Sequence, residues 1–386
     1  MNHFKWNQIP NVYFGQGSMK EAFLKELKCA GKNIMLSYGG GSIKRTGIYD
    51  EILSLLNELG KHVYEFGGIM PNPTYDKVKE GAAFAKENQI DYIIAVGGGS
   101  TFDCCKIISA QAKTEEDIWK FEIEQGKEPT AFIPMASVVT VSGTGAEMNH
   151  LAGITNLEEN VKLTLTGAMA KFVVLDPSYV LTVPMDLVLA GGFDTLSHCM
   201  EIYFGQPFET NVSDEINESV MKNVIRNIRA VIKDPMDRNA RSELMWDSSI
   251  AEMGLLKLGK TTDFQIHAIE SQLGVYANTT HGKGLAVLHP TVYRHIYKSG
   301  LPKFIKFAKE VWHVEETGKS DEEIAFSGIE ELEQFIVEIG LPTTLTQLGI
   351  TDKEMLKRVS DSVIIKQGCC KQLSQEEIYE ILLECL

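Results

Sequence analysis

This 386-residue sequence predicts an α/β domain followed by an all-helical one. Two observations carry that prediction. Up to Pro184, short apolar runs end in glycine turns and alternate with amphipathic stretches. Beyond Pro184 the β-rich runs largely vanish, and long segments with a period of about 3.6 residues take over. Strand, glycine turn, helix, strand is the pattern of βαβ units, which implies a mostly parallel, Rossmann-like sheet covered by helices on both faces. The expected division is 1–184 for the α/β domain and 185–386 for the helical one.

Taken in order, Ile34-Met35-Leu36-Ser37-Tyr38 is the first clear strand, ending at Gly39-Gly40-Gly41. Tyr49 to Leu59 and Tyr75 to Glu87 read as helices. Tyr92-Ile93-Ile94-Ala95-Val96 is a strand stopped by Gly97-Gly98-Gly99, and Thr101 to Ala112 is the helix that this turn opens. Ala131-Phe132-Ile133-Pro134 and Phe172-Val173-Val174-Leu175 are further strand candidates, the latter closed by Asp176-Pro177. In the second half the periodic stretches include Asp214 to Lys233, Ser242 to Leu258, Phe264 to Leu273, Ser327 to Ile339 and Gln375 to Leu383. Open α/β sheets bind ligands at the carboxyl ends of their strands. A cleft between that edge and the helical half is therefore the expected active site.

Composition narrows the function classes. With 44% hydrophobic and 23% charged residues, the chain is neither collagen-like, disordered nor coiled-coil. A net charge of −15 repels phosphate backbones and anionic lipids, which argues against nucleic-acid or membrane-surface partners. No run of about 18 apolar residues is present, and Met1 to Trp6 lacks an apolar signal core. Seven cysteines, an odd count without a Cys-x-x-Cys pair, read as reduced thiols in a cytoplasmic protein.

Glycine at Gly97-Gly98-Gly99-Ser100 lets the backbone turn tightly between strand and helix. The N–H groups of the helix's first turn attract anions, so a dinucleotide pyrophosphate fits there. Gly39-Gly40-Gly41-Ser42 occupies the same context on a second unit. Neither turn matches Gly-x-Gly-x-x-Gly, so the ordinary dinucleotide fingerprint is absent while nucleotide binding remains the expectation. Gly254-Leu255-Leu256-Lys257-Leu258-Gly259-Lys260-Thr261 matches the P-loop pattern letter for letter. A phosphate-cradling loop must follow a strand, however, and Ser242 to Met253 reads as helix. The expectation is that the helix continues through the four intervening residues and ends at Gly259.

Asp194 and His198, four apart, project from one helix face. His267 lies in a second helical stretch. His281 follows the turn and cap signal Asn278-Thr279-Thr280 and opens His281-Gly282-Lys283-Gly284. One carboxylate and three imidazoles form a candidate set for a divalent first-row metal, and they suit Fe²⁺ and Zn²⁺ equally. Spacing alone leaves a plainer reading open, because Asp194 and His198 also fit a helix ion pair. His3, His62, His150, His289, His295 and His313 read as ordinary surface or core residues.

Together these features resemble the metal-dependent, or iron-containing, alcohol dehydrogenase family, most closely its NAD(P)H-dependent butanol dehydrogenase branch. The likeness rests on Phe14-Gly15-Gln16-Gly17, Tyr38-Gly39-Gly40-Gly41-Ser42-Ile43-Lys44, Pro71-Asn72-Pro73-Thr74, Gly97-Gly98-Gly99-Ser100 with Asp103 and Lys106, and Ser142-Gly143-Thr144-Gly145-Ala146-Glu147. It continues through Asp194-Thr195-Leu196-Ser197-His198-Cys199-Met200-Glu201 and His281-Gly282. The resemblance implies a dehydroquinate synthase-like architecture, with a dinucleotide-binding domain and a helical metal-binding, catalytic domain. It implies that Asp194, His198, His267 and His281 hold the metal. Gly39, Gly40, Gly41 and Ser42 would meet the adenosine side, Asn72 a ribose, and Gly97, Gly98, Gly99 and Ser100 the pyrophosphate. Asp103, Thr140, Ser142, Thr144, Lys162 and Thr182 would border the nicotinamide half.

Members that use NAD alone tend to carry an aspartate after the first strand. Here only glycines and Ser42 stand there, with Lys44 and Arg45 close behind, which inclines the expectation to NADP(H) over NAD(H). Members often have a histidine four residues after His267, where this chain has Ser271. A hydroxyl passes a proton to water but does not change charge near neutral pH as imidazole does. The implied activity is reversible hydride transfer between NAD(P)H and a small aliphatic aldehyde such as butanal, in a homodimer. The rival classes are a metal-dependent lyase or hydrolase on the same scaffold and a non-catalytic nucleotide- and metal-binding protein.

Overall fold

Residue 4, residues 10–366 and residues 368–386 are described in the computed structural model. His3 and, apart from residue 4, the opening residues considered for a signal segment lie outside the described residues. The chain divides into two compact units, Gln8–Pro184 and a helical unit built from Met185–Leu386.

In chain order the first unit runs β1 (Asn11–Phe14), α1 (Ser18–Glu26), β2 (Asn33–Tyr38), α2 (Ser42–Arg45), α3 (Ile48–Glu58), β3 (His62–Phe66), α4 (Tyr75–Glu87), β4 (Tyr92–Gly97) and α5 (Gly99–Gln111). It continues with β5 (Met135–Val139), β6 (Leu151–Asn156), β7 (Val161–Thr166) and β8 (Phe172–Leu175). Six strands form one all-parallel sheet in the order β1-β8-β5-β4-β2-β3. Successive side chains alternate between the faces of a strand. Ile34, Leu36, Ile94, Val96 and Val138 accordingly share one apolar cluster with Phe23 of α1 and Ile52 and Leu56 of α3. On the sheet's other side α5 packs on β4 and β5. Burial on both faces explains why these strands are continuous apolar runs rather than alternating ones. β6 and β7 form a separate antiparallel hairpin.

Topology places the glycine turns. From β2 the chain moves outward to β3, then crosses back to β4 on β2's other flank and continues to β5. Ligands bind outside the carboxyl ends of the strands at such a reversal. Gly39–Gly41 follows β2, Gly97–Gly99 spans the end of β4 and the start of α5, and Tyr38 and Val96 are register partners.

Two expectations in this unit need correction. The strand placed at Ala131–Pro134 begins only at Met135. Pro134 has no N–H to give a ladder, and Ile133 instead donates its N–H to the Ser109 carbonyl at 3.1 Å. The turn after β4 is also tighter than expected. Gly97 still belongs to the strand, Gly99 already belongs to α5, and Gly98 alone joins them in an extended conformation.

The helical unit contains α6 (Met185–Tyr203), α7 (Val212–Lys233), α8 (Arg238–Glu252), α9 (Gln265–Ala277), α10 (His281–Ile296), α11 (Leu301–Glu310), α12 (Asp321–Glu338), α13 (Lys353–Ser362) and α14 (Gln375–Glu384). Side-chain caps at Asn211, Asp237, Ser320, Asp352 and Ser374 start α7, α8, α12, α13 and α14. One apolar core includes Phe204, Tyr293, Phe304 and Phe307. The P-loop look-alike differs in detail from the expectation. α8 starts at Arg238 and stops at Glu252, with Gly254 in the left-handed region at φ 90°. Leu255–Lys257 is a single 3-10 turn, and Gly259 has φ 72°. A helix, not a strand, precedes the motif, so it lacks the context of a phosphate loop.

Candidate functional site

In the helical unit, three elements bring the candidate ligands together. Asp194 and His198 lie one turn apart on α6, His267 is in the first turn of α9, and His281 is the first residue of α10. Asp194 Oδ1 stands 3.6 Å from His198 Nδ1, 3.6 Å from His267 Nε2 and 3.6 Å from His281 Nε2. Those separations are too long for hydrogen bonds. They suit donors that share one ion, since ligands about 2.1 Å from a common tetrahedral centre lie about 3.4 Å apart. The donor atoms of Asp194, His267 and His281 lie within 4.8 Å of one another. His198 stands outside that mutually close set: it approaches Asp194 Oδ1 and stacks on the His267 ring with centroids 4.5 Å apart.

Burial tests whether a cation fits. Asp194 is 3% exposed, and its Oδ1, the His198 Nδ1 and the His267 Nε2 are buried with no hydrogen-bond partner. Orphaned polar atoms cost about 1–3 kcal/mol each, and two of these, on Asp194 and His267, converge with His281 on one point, which calls for a shared positive ligand. An aspartate with three imidazoles is a donor set for Fe²⁺ or Zn²⁺. The residues present therefore fit a divalent metal.

Two further carboxylates orient the imidazoles. Glu201 of α6 accepts from His267 Nδ1, and Glu270 of α9 accepts from His281 Nδ1. Each bond fixes the tautomer and leaves Nε2 facing Asp194. Glu201 also accepts the Ile266 N–H at 2.8 Å and the His267 N–H at 3.1 Å. The N-cap residue of α9, Phe264, has φ 59° and makes no side-chain cap, so Glu201 caps the helix from a neighbouring one. Glu270 is further held by the Thr279 hydroxyl at 2.9 Å. Sequence reading did not single out either role. The available signal was a glutamate on an otherwise apolar helix face, which is costly unless paired.

The electrostatics follow from these contacts. Burial opposes charge on Asp194, yet the three histidines hold its carboxyl down at about 2. Burial lowers His198 to about 4. Burial also works against a charged His267, but Glu201 and Asp194 outweigh it and raise the ring to about 10. Glu201, wholly buried, is kept below the usual carboxylate range by His267. Ser271 lies one turn along α9 from His267 and is half-buried. His289, in the core, meets the Ser197 hydroxyl through Nε2 at 2.6 Å, while its Nδ1 is buried without a hydrogen-bond partner.

The other candidate residues lie in the first unit. An added Cβ on Gly97 would lie 2.5 Å from the Thr101 hydroxyl, and one on Gly99 2.6 Å from the Thr144 hydroxyl. Packing therefore demands glycine at both. At Gly40 nothing lies within 4 Å of such a Cβ, so open space above the turn is what a side chain there would fill. Thr140 donates its N–H to the Gly97 carbonyl at 2.8 Å, which sets it beside the β4–α5 turn. Asn72, at φ 52°, accepts from Lys162 Nζ at 2.9 Å. Asp103 accepts the Gly153 N–H at 3.0 Å and approaches Lys106 at 3.4 Å. Ser142 is half-buried, whereas Ser42 and Thr182 are exposed. Lys44, counted above toward a 2′-phosphate, is paired with Glu65 at 2.8 Å.

Comparison with known proteins gives the family. Residues 10–177 match the model of the iron-containing alcohol dehydrogenases, and residues 188–386 match the C-terminal model of the Fe-containing alcohol dehydrogenase family. The chain belongs to the iron-containing alcohol dehydrogenase family. Among iron-containing alcohol dehydrogenase relatives, a probable NADH-dependent butanol dehydrogenase 1 of Bacillus subtilis is 36% identical across 99% of both chains. The NADPH-dependent aldehyde reductase of Escherichia coli is 31% identical across 95% of each. The crystal structure of the NADH-dependent butanol dehydrogenase A of Thermotoga maritima superposes with a TM-score of 0.94 at 30% identity, covering 100% of this chain and 99% of that one.

Proposed function

We propose that this iron-containing alcohol dehydrogenase reversibly reduces small aliphatic aldehydes to primary alcohols, with butanal as the reference substrate and a nicotinamide adenine dinucleotide as hydride carrier. The observation that carries the reading is the Asp194 oxygen standing 3.6 Å from three imidazole nitrogens. Asp194, His198, His267 and His281 would hold a divalent ion, Fe²⁺ or Zn²⁺. Such an ion, when bound, supplies Lewis acidity toward a carbonyl or alkoxide oxygen.

The chain's own residues do the rest. Glu201 and Glu270 keep His267 and His281 in the tautomer that presents Nε2. Ser271 offers a hydroxyl one turn from His267 for passing the alcohol proton to water. Gly39, Gly40, Gly41 and Ser42 would meet the adenosine side, Asn72, which accepts from Lys162, would meet a ribose, and Gly97–Ser100 would receive the pyrophosphate at the start of α5. Asp103, Thr140, Ser142, Thr144, Lys162 and Thr182 border the nicotinamide half. Catalysis depends on holding carbonyl and nicotinamide in near-attack geometry away from water.

Further expectations belong to the same reading. Seven free thiols support a reducing, cytoplasmic setting. The charge of −15 speaks against nucleic-acid partners. No helix among the described residues is long and apolar enough to cross a membrane. A homodimer is the expected assembly, and sedimentation velocity tests it.

The decisive assay follows absorbance at 340 nm with an aldehyde panel and either reduced dinucleotide. No oxidation of either would refute the reading. His267→Ala should abolish turnover and bound metal while leaving dinucleotide binding measurable by fluorescence titration, and retained turnover would refute the ligand assignment.

A further inference from the structure

Beside the first glycine turn sits a charged cluster that the hydride step does not use. Glu65, near the end of β3, accepts from the Tyr38 hydroxyl at 2.7 Å, the Tyr49 hydroxyl at 2.5 Å and Lys44 Nζ at 2.8 Å. Lys44 also lies over the rings of Tyr49 and Tyr38, 4.5 and 5.2 Å from their centroids. The cluster is tied to the turn. Leu36 of β2 is the register partner of Glu65, and Tyr38 directly precedes Gly39. Past β3, the Gly68 N–H donates to the Gly39 carbonyl at 3.1 Å and the Ile69 N–H to the Tyr38 carbonyl at 3.3 Å. The Glu65 and Lys44 side chains are 41% and 45% exposed, so their charges face solvent, and the space at Gly40 in the same turn is open.

Three donors on one carboxylate have a clear consequence. Lys44, Tyr38 and Tyr49 hold Glu65 at about 2, ionised throughout the working range. Lys44, one of the two cations that follow the turn, has its charge matched by an anion and its ammonium held between two aromatic rings. A 2′-phosphate brings about two negative charges and calls for cations free to form charge-assisted hydrogen bonds. A 2′-hydroxyl makes no such demand and donates readily to a carboxylate.

We propose that Glu65, by pinning Lys44 beside the Gly39–Gly41 turn, makes this enzyme select NADH over NADPH. The proposal rests on the reading that this turn holds the adenosine half of the dinucleotide. Glu65 and Lys44 are specificity-determining residues of opposite sign. Releasing Lys44 by Glu65→Gln favours the 2′-phosphate, whereas Lys44→Met leaves the carboxylate uncompensated and disfavours it.

The test measures dissociation constants for NADH and NADPH by fluorescence titration, together with kcat/KM for each. The wild-type enzyme prefers NADH. Glu65→Gln moves the NADPH/NADH ratio up by about two- to fivefold, the size of one partly exposed charge contact, and Lys44→Met moves it down. A wild-type preference for NADPH, or a ratio unmoved in Glu65→Gln, overturns the proposal. Gly40→Val separates this from the underlying reading, because its side chain enters the open space and should weaken both dinucleotides alike. If Gly40→Val leaves both affinities intact, the adenosine placement falls. If it weakens both while Glu65→Gln leaves the ratio unmoved, only the role of Glu65 falls.

Discussion

Replacing Glu201 with glutamine keeps the shape of the side chain and removes its charge and one acceptor. The carboxylate, 1% exposed, serves three donors: the N–H groups of Ile266 and His267 and the Nδ1 of His267. A hydrogen bond to a charged acceptor contributes about 1.5–3 kcal/mol, and an anion at a helix N-terminus adds about 0.3–2 kcal/mol. Glutamine still accepts through Oε1, but its amide N–H₂ must then face another donor. The expected net loss is about 3 kcal/mol, or roughly 6–12 °C in melting temperature for a unit of about 200 residues. Loss of the bond that orients His267 should also lower metal affinity by about 10–100-fold. Thermal melting gives the first number, and competition for Zn²⁺ against a fluorescent chelator gives the second. Dinucleotide binding is the control, since its candidate residues lie in the other unit. Wild-type metal affinity in Glu201→Gln would refute the claim that this carboxylate sets the imidazole.

Asp247 is buried against Asn223, and burial first, with Glu243 adding, raises its carboxyl from 3.8 to about 7. The folded state therefore binds the proton more tightly, and this contribution to stability is present below about pH 4 and lost as pH rises through about 7. Asp247→Asn should consequently stabilise the protein by a few kcal/mol above pH 7, with the gain in denaturant midpoint shrinking toward pH 4; a pH-independent gain would contradict it. Gly99→Ala places its Cβ 2.6 Å from the Thr144 hydroxyl and 2.7 Å from its methyl, which should cost about 1–3 kcal/mol and weaken dinucleotide binding in a fluorescence titration. Gly282→Ala would set a Cβ 2.0 Å from the backbone oxygen of Ala190. Neither backbone can yield cheaply, so metal content by elemental analysis should fall along with melting temperature, and a normal metal content would refute the packing argument.

Legibility in the sequence followed burial. β2, β4 and β8 are buried almost throughout and flanked by glycine or Asp-Pro, so they read as apolar runs with marked ends. β1 and β3 are edge strands with mixed exposure, and no run of apolar letters marks them. The hairpin β6–β7 escaped for the same reason, because much of β7 is only half-buried. α12 starts at Asp321, earlier than its apolar period suggests, since a capping box between Ser320 and Glu323 fixes its first turn before the first buried residue, Ile324. The Asp194 and His198 spacing was readable because both stand on one helix. Glu201 and His267 are 66 positions apart, and no local pattern reports that pairing.

The three helices position their imidazoles in series. α6 supplies Asp194 and His198 and extends Glu201 to the start of α9, where it caps the helix and turns His267. α9 then extends Glu270, three residues past His267, to the start of α10, where it turns His281. α10 reaches that carboxylate only because its first turn carries no bulk: an added Cβ at Gly284 would lie 2.6 Å from Glu270 Oε1, and one at Gly282 would strike Ala190 of α6. His281-Gly282-Lys283-Gly284 is therefore one histidine with two clearances, one toward each helix it must meet. In such a series each carboxylate takes part in helix placement and in ring orientation at once. Energies of Glu201 and Glu270 substitutions should then fail to add, because freeing α9 at its start already disturbs the helix that carries the second carboxylate.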